Sequence, residues 1–120
     1  MIAGIGTDII ELNKIKQYSN KKYFLDKVFT KKEIDYAKAK KNKMHHLATT
    51  FAAKEAIFKA LGTGWLNPKE IEIIRNKNGK QKVILSGKLK NNLKNKDVML
   101  SLSYSNNYAV AFVIIRKEKK

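Results

Sequence analysis

The segment that most constrains the fold of this chain is 45–61, which has the pattern of one long helix. Leu47, Phe51 and Phe58 recur at helical spacing, and the alanines between them favour helix. Gly62 follows the last apolar residue and is a natural C-terminal cap, because glycine readily adopts the left-handed backbone that ends helices.

The rest of the chain mixes helical patterns with strand patterns. Thr30 and Glu33 have capping-box spacing, which predicts a helix from there to about residue 41. Two turn-like segments, 76–79 and 105–107, each separate a pair of β-rich runs and predict two hairpins. The other predicted elements are strands at 2–5, 70–75, 81–85, 98–104 and 108–115, and helices at 9–15, 22–29 and 89–93. This order predicts a single small α+β domain over 1–120, with mainly antiparallel strands packed against helices.

Composition narrows the chemistry. The 120-residue chain contains no cysteine, which excludes disulfides, thiolate catalysis and cysteine-ligated zinc. Its best apolar run, 108–115, is strand-length and far shorter than the roughly 20 residues of a membrane span. The N-terminus lacks the pattern of a signal peptide. We therefore expect a cytoplasmic protein with no membrane partner.

The formal net charge of the chain is +16. An excess of this size favours an acidic partner, such as a nucleic acid, an anionic membrane, a phosphorylated ligand or an acidic protein. Compositional drift explains it equally well, because only Arg75 and Arg116 are arginine and every other strong base is lysine. The charge alone does not decide between the two explanations.

Two carboxylates stand out as candidate site residues. Asp8 follows a glycine-spaced turn at 4–7, where glycines allow close backbone approach to a ligand, and it is either a metal ligand or a helix cap. Glu55 lies on the helix stripe that carries two phenylalanines, where a charge is costly unless it is paired or bound to a cation. Lys59, one turn later, makes either a plain helix pair with Glu55 or a phosphate contact beside a metal ligand.

Two further features carry weaker signals. The Gly-Thr-Gly segment at 62–64 can line an anion pocket with its amides, but it is neither a P-loop nor a dinucleotide fingerprint. His45 and His46 are adjacent and point to different faces of a helix. Solvated or capping roles are therefore favoured for both over a zinc pair.

In their order along the chain, these motifs resemble the holo-acyl-carrier-protein synthase family of 4'-phosphopantetheinyl transferases. Gly-Ile-Gly-Thr-Asp-Ile-Ile-Glu at 4–11 is similar to that family's N-terminal signature. Phe-Ala-Ala-Lys-Glu-Ala-Ile-Phe-Lys-Ala-Leu-Gly-Thr-Gly at 51–64 is similar to its central helix signature. Further matches occur at 24–33, 71–73, 78–80, 101–104 and 108–111, so the resemblance covers essentially the whole chain.

The resemblance implies an activity and an assembly. The activity is transfer of 4'-phosphopantetheine from coenzyme A to a serine of apo-acyl carrier protein, which releases adenosine 3',5'-bisphosphate and supports fatty acid biosynthesis. Short members of the family are α+β domains that form homotrimers with coenzyme A bound between protomers. The implied partners are coenzyme A, acyl carrier protein and further copies of this chain, and nucleic acid is not among them.

The resemblance also assigns roles to residues. Asp8 and Glu55 match two carboxylates that hold Mg²⁺, for which Mn²⁺ can substitute, and Lys59 matches a lysine close to the phosphates. These three are the expected catalytic residues, and either Glu55 or a metal-bound water takes the serine proton. The expected nucleotide-binding residues are Lys59, Gly62, Gly64, Asn78, Gly79, Lys80 and Tyr104.

Three positions depart from the family pattern. Tyr104 stands where histidine is usual, Thr50 where an arginine often precedes the central signature, and Gln81 where proline commonly follows Gly-Lys. The first two changes remove cationic contacts expected for the 3'-phosphate of coenzyme A. They leave the expected metal and transfer residues in place.

The segment 12–23 matches the region with which the family docks the acidic acyl carrier protein. It contains four lysines and no acid. The expected partner-binding residues are Lys14, Lys21 and Lys22.

Two other classes of protein fit the sequence less well than the enzyme. A small basic nucleic-acid-binding protein is favoured slightly by charge, but aromatic residues do not interleave with basic ones as stacking platforms do. A catalytically silent relative is disfavoured by the joint presence of Asp8, Glu55 and Lys59.

Overall fold

The computed structural model describes residues 1–118 and has an antiparallel sheet with one long helix lying across it. Its strands are β1 (Ile2–Glu11), β2 (Ile71–Arg75), β3 (Gln81–Leu85), β4 (Lys96–Tyr104) and β5 (Tyr108–Lys117). Its helices are α1 (Leu12–Ser19), α2 (Phe24–Val28), α3 (Lys31–Lys38), α4 (Lys43–Leu61) and α5 (Gly87–Asn92), with a 3-10 turn at Pro68–Glu70. The sheet order is β1-β5-β4, and β2 and β3 form a separate hairpin. The predicted α+β class with one long helix is confirmed.

The clearest difference from the sequence-based prediction is β1. It continues to Glu11, where a turn at 4–7 and a helix over 9–15 were predicted. Antiparallel pairing with β5 extends as far as Glu11 opposite Tyr108. Pairing with a strand from the other end of the chain overrides the local helical spacing, so α1 begins only at Leu12.

Most other elements lie close to their predicted bounds. Both hairpins are present, and the capping box of α3 is formed, with Thr30 N–H donating to Glu33 at 2.9 Å and Glu33 N–H donating to Thr30 Oγ1 at 3.3 Å. Gly62 caps α4 in the left-handed conformation with φ of 73°. Among residues 1–118, no helix has the length and apolar character that crossing a membrane requires.

Two glycines of β1 set how closely α4 approaches the sheet. A Cβ atom added at Gly4 would overlap the carbonyl oxygen of Ala60, and one added at Gly6 would overlap that of Ala56. The glycines are two residues apart on a strand and the alanines four apart on a helix, distances of about 6.6 and 6.0 Å that match. The expected close backbone approach at these glycines is therefore to a helix and not to a ligand.

A buried ion pair holds the opposite side of α4. Lys54 Nζ donates to Glu33 at 2.6 Å and to the Val28 carbonyl oxygen at 2.8 Å, and the second Glu33 oxygen accepts the Ile73 N–H at 2.8 Å. Burial lowers the pKa of Lys54, while the charge of Glu33 opposes that shift. The pair joins α4, α3 and β2, and losing either partner would leave an uncompensated buried charge.

We predict that Gly6→Ala destabilises the protein, because the new methyl group must push α4 away from β1. Overpacking of this kind costs about 1–3 kcal/mol of unfolding free energy and sometimes more. The measurement is the urea midpoint at unchanged m-value, with Ser103→Ala, at an exposed position of β4, as the control. A Gly6→Ala protein as stable as the parent would contradict the close packing.

Candidate active site

A group of charged side chains lies next to the glycine contacts between β1 and α4. Gly4, Gly6 and Asp8 occupy every second position of β1 and so lie on the same face, the one that meets α4. Glu55 and Lys59 each precede one of the alanines that touch the glycines. The packing that the glycines permit therefore brings Asp8 against these two residues.

The structure excludes one of the two roles predicted for Asp8. Asp8 lies within β1 opposite Ala111, and the residue that precedes α1 is Glu11, so the helix-cap alternative is wrong. Lys59 Nζ lies 3.1 Å from Asp8 Oδ1 and 3.2 Å from the Thr7 carbonyl oxygen. The ion pair of Lys59 thus crosses from α4 to β1, in place of the plain helix pair with Glu55.

The electrostatic environment of Glu55 includes both charged neighbours, Asp8 and Lys59. Partial burial raises the pKa of Glu55, the negative charge of Asp8 raises it further, and the positive charge of Lys59 lowers it. A cation between two such carboxylates would relieve both the desolvation and the repulsion.

The chemistry of these donors fits Mg²⁺ or Mn²⁺, which bind hard carboxylate oxygens. Within residues 1–118, no cluster of three His, Cys, Asp or Glu side chains could hold a metal ion by itself. The fit is therefore to a site with two protein carboxylates, completed by waters and phosphate oxygens as Mg²⁺ usually is.

Asp8 and Glu55 lie at a cleft of about 300 Å³. Of the three lysines predicted to bind the partner, Lys14 lines the same cleft. Lys21 and Lys22 lie just after the end of α1, each with its ammonium about 5 Å from a tyrosine ring. The other lining residues are Ile9, Ile10, Glu11, Tyr18, Phe51 and Tyr108.

None of these other lining residues was assigned to the site from the sequence. Phe51 had a usable signal, because it lies one turn before Glu55 on the helix stripe. Tyr18 and Tyr108 come from α1 and β5, and nothing in their local sequence places them at this cleft.

The predicted nucleotide-binding residues lie in three places. Lys59 is at Asp8, and Gly62 and Gly64 are in the loop after α4, both with left-handed backbone. Gly79 lines a second cleft of about 160 Å³ together with Tyr104. Asn78 and Lys80, its exposed neighbours in the β2–β3 turn, complete the set.

Tyr104 is held by the start of α4. Its hydroxyl accepts a hydrogen bond of 2.8 Å from Asn42 Nδ2, and its ring lies 4.8 Å from that of His45. The His46 ring lies 5.3 Å from that of Tyr36, and burial, with the charge of Arg75, lowers the pKa of His46. Both histidines are half-buried with their rings packed against tyrosines, which adds a packing role to the solvated or capping roles predicted from the sequence.

Comparison with known proteins identifies the family. Residues 4–113 match the model of the 4'-phosphopantetheinyl transferase superfamily. A holo-[acyl-carrier-protein] synthase of Clostridium botulinum (strain Eklund 17B / Type B) is 44% identical, over 96% of this chain and 98% of the relative. One from Caldanaerobacter subterraneus subsp. tengcongensis is 41% identical, over 92% and 91% of the two chains.

Solved structures agree. The Bacillus anthracis str. Ames holo-(acyl-carrier-protein) synthase, in complex with CoA (3',5'-ADP), has a TM-score of 0.85 at 36% identity and covers 98% of this chain and 99% of its own. The Helicobacter pylori enzyme in complex with coenzyme A has a TM-score of 0.80 at 30% identity, covering 92% and 98%. This chain belongs to the holo-[acyl-carrier-protein] synthases of the 4'-phosphopantetheinyl transferase superfamily.

Proposed function

We propose that this protein transfers 4'-phosphopantetheine from coenzyme A to a serine of apo-acyl carrier protein. The observation that carries the proposal is the meeting of Asp8, Glu55 and Lys59 at one cleft, from segments about fifty residues apart. The relatives named as synthases, and the two that were crystallised with coenzyme A or its nucleotide, support the same reaction.

The reaction exchanges one phosphorus–oxygen bond for another. The serine oxygen bonds to the phosphorus on the pantetheine side of the pyrophosphate, and the bond from that phosphorus to the bridging oxygen breaks. Adenosine 3',5'-bisphosphate leaves with the bridging oxygen, and the serine proton passes to Glu55 or to water.

Each catalytic residue has an electrostatic task in this reaction. Asp8 and Glu55 would hold Mg²⁺, which when bound would neutralise charge on the pyrophosphate. Lys59 Nζ is the cation that this chain supplies, and its side chain is 54% exposed, so it can reach an incoming phosphate. Fixed positive charge at the leaving group lowers the barrier to phosphoryl transfer.

We assign the nucleotide end of coenzyme A to the loop after α4 and to the second cleft. The residues are Gly62, Gly64, Asn78, Gly79, Lys80 and Tyr104. His46 at that cleft and Glu55 are nine residues apart on α4, which is about 13 Å along the helix. The 3'-phosphate and the pyrophosphate are attached to one ribose and cannot span such a distance. We therefore assign the pyrophosphate of one coenzyme A to the Glu55 cleft of one copy of the chain. Its 3'-phosphate is assigned to the second cleft of a neighbouring copy.

The outer face of the β1-β5-β4 sheet is the surface for that assembly. It is unusually apolar for an exposed face, with Ile5, Ile9, Met99, Val110 and Phe112 between 37% and 63% exposed. In the strand register Ile9 lies opposite Val110, and Ile5 and Met99 flank Ile114 of the central strand from its two sides. Contiguous exposed apolar surface of this kind marks an interface, and we propose that it holds a homotrimer together.

We predict that Asp8→Asn and Glu55→Gln each lower the transfer rate on the order of a hundredfold or more, because each removes a ligand of the same cation. The measurement is the intact mass of acyl carrier protein after incubation with coenzyme A and Mg²⁺. Chelation should abolish the mass gain, and Mg²⁺ or Mn²⁺ should restore it. Glu118→Gln, an exposed acid outside the cleft, is the control. Parent protein that never adds phosphopantetheine would refute the function.

We predict that Phe112→Glu gives a monomer with little transfer activity, because the added carboxylate cannot be buried between copies. Sedimentation equilibrium should report a trimer for the parent and a folded monomer for the variant. Lys90→Glu, which puts the same side chain on α5, should stay trimeric. A parent that is monomeric and fully active would rule out the assembly.

We predict that replacing Lys14, Lys21 and Lys22 with alanine raises the KM for acyl carrier protein, because exposed ion pairs with the acidic carrier are lost. Three such pairs sum to roughly 1–3 kcal/mol, or about five- to 150-fold in KM. The KM for coenzyme A should change little. The control removes the same charge elsewhere with Lys88, Lys90 and Lys94 changed to alanine, and equal effects of the two triple variants would place docking outside α1.

A further inference from the structure

Lys59 makes two contacts that do not involve a substrate. Its ammonium donates to Asp8 Oδ1 at 3.1 Å and to the Thr7 carbonyl oxygen at 3.2 Å. The Asp8 side chain is only 13% exposed, so Lys59 covers part of the surface by which that carboxylate could meet another ligand.

This ion pair changes the charge that the cleft offers to a cation. Asp8 and Glu55 together carry two negative charges when ionised, but Lys59 offsets one of them directly at Asp8. A divalent cation that approached the ligand-free cleft would have to displace the ammonium or accept its repulsion at close range. No third acid or histidine joins these two carboxylates in a metal-binding cluster within the described residues 1–118.

The ion pair between Lys59 and Asp8 also breaks at little cost in free energy. Half of the side chain is exposed, and exposed ion pairs contribute little net stability because water competes for both partners. A pyrophosphate offers the ammonium a more highly charged partner, while its oxygens supply the ligands that two carboxylates cannot.

We propose that Lys59 holds the metal position of Asp8 in the ligand-free protein, so that the divalent cation and coenzyme A enter the cleft together. When the pyrophosphate arrives, the Lys59 N–H groups exchange Asp8 for phosphate oxygens, and Asp8 becomes free to bind the cation. This inference rests on the proposed function for the identity of the pyrophosphate, and it adds that binding of the cation is coupled to binding of coenzyme A.

The test measures Mn²⁺ binding without any turnover. Free Mn²⁺ is titrated by electron paramagnetic resonance against the parent, Lys59→Met, Lys59→Arg and Lys14→Met, all without coenzyme A. Lys59→Met should bind Mn²⁺ about three- to thirtyfold more tightly than the parent, because the competing charge is gone. Lys59→Arg keeps that charge and should not tighten. Lys14→Met removes a charge from the same cleft without touching Asp8 and should change the affinity less than twofold.

A second titration measures the coupling between the two ligands. In the parent, saturating coenzyme A should tighten Mn²⁺ binding by a larger factor than it does in Lys59→Met, where Asp8 is free from the start. Unchanged or weaker Mn²⁺ binding by Lys59→Met, with the circular dichroism of the parent, would overturn the inference. The Mn²⁺ titration without coenzyme A does not depend on transfer, so a parent that lacks transferase activity and a Lys59 that does not compete with the metal are separate failures.

Discussion

The close approach of α4 to β1 is the constraint on which the rest of the structure depends. It exists because Gly4 and Gly6 present bare backbone to the carbonyl oxygens of Ala60 and Ala56. Side chains at either glycine would hold the helix away from the strand. The distance between Asp8 on the strand and Lys59 on the helix therefore depends on glycine being present at both positions.

The same helix is anchored on its other side by the buried ion pair between Lys54 and Glu33. Lys54 points away from β1 into a buried pair with Glu33, while the next residue, Glu55, lies at the cleft with Asp8. One residue serves packing and its neighbour serves the site, because successive side chains on a helix diverge by about 100°. Burial of Lys54 thus fixes the rotation of the helix about its axis, which in turn fixes where Glu55 points.

The site is locally acidic in a protein whose net charge is +16. Asp8, Glu11 and Glu55 line one cleft with Lys14, and Lys59 pairs with Asp8 beside it, whereas lysine and arginine far outnumber acids in the chain as a whole. This distribution suits a reaction with two anionic substrates. In the proposed reaction, the carboxylates would attract the cation that neutralises a pyrophosphate, and the exposed lysines would attract the acidic substrates themselves.

The sequence by itself determined the α+β class, the helix that ends at Gly62, the capping box of α3, both hairpins, the family and the three candidate catalytic residues. These features are readable because capping, turn chemistry and helical periodicity act over a few neighbouring residues. Asp8, Glu55 and Lys59 were found through motifs whose order along the chain is preserved.

Only the tertiary structure decided what depends on partners far away in the chain. Pairing with β5 made 9–11 a strand, and that pairing removed the capping alternative for Asp8. The salt bridge of Lys59 runs to a residue 51 positions away, and Tyr108 reaches the cleft of Asp8 from β5. Local patterns carry no information about such contacts, because the energy of each contact is realised only after the distant strand or helix has packed in place.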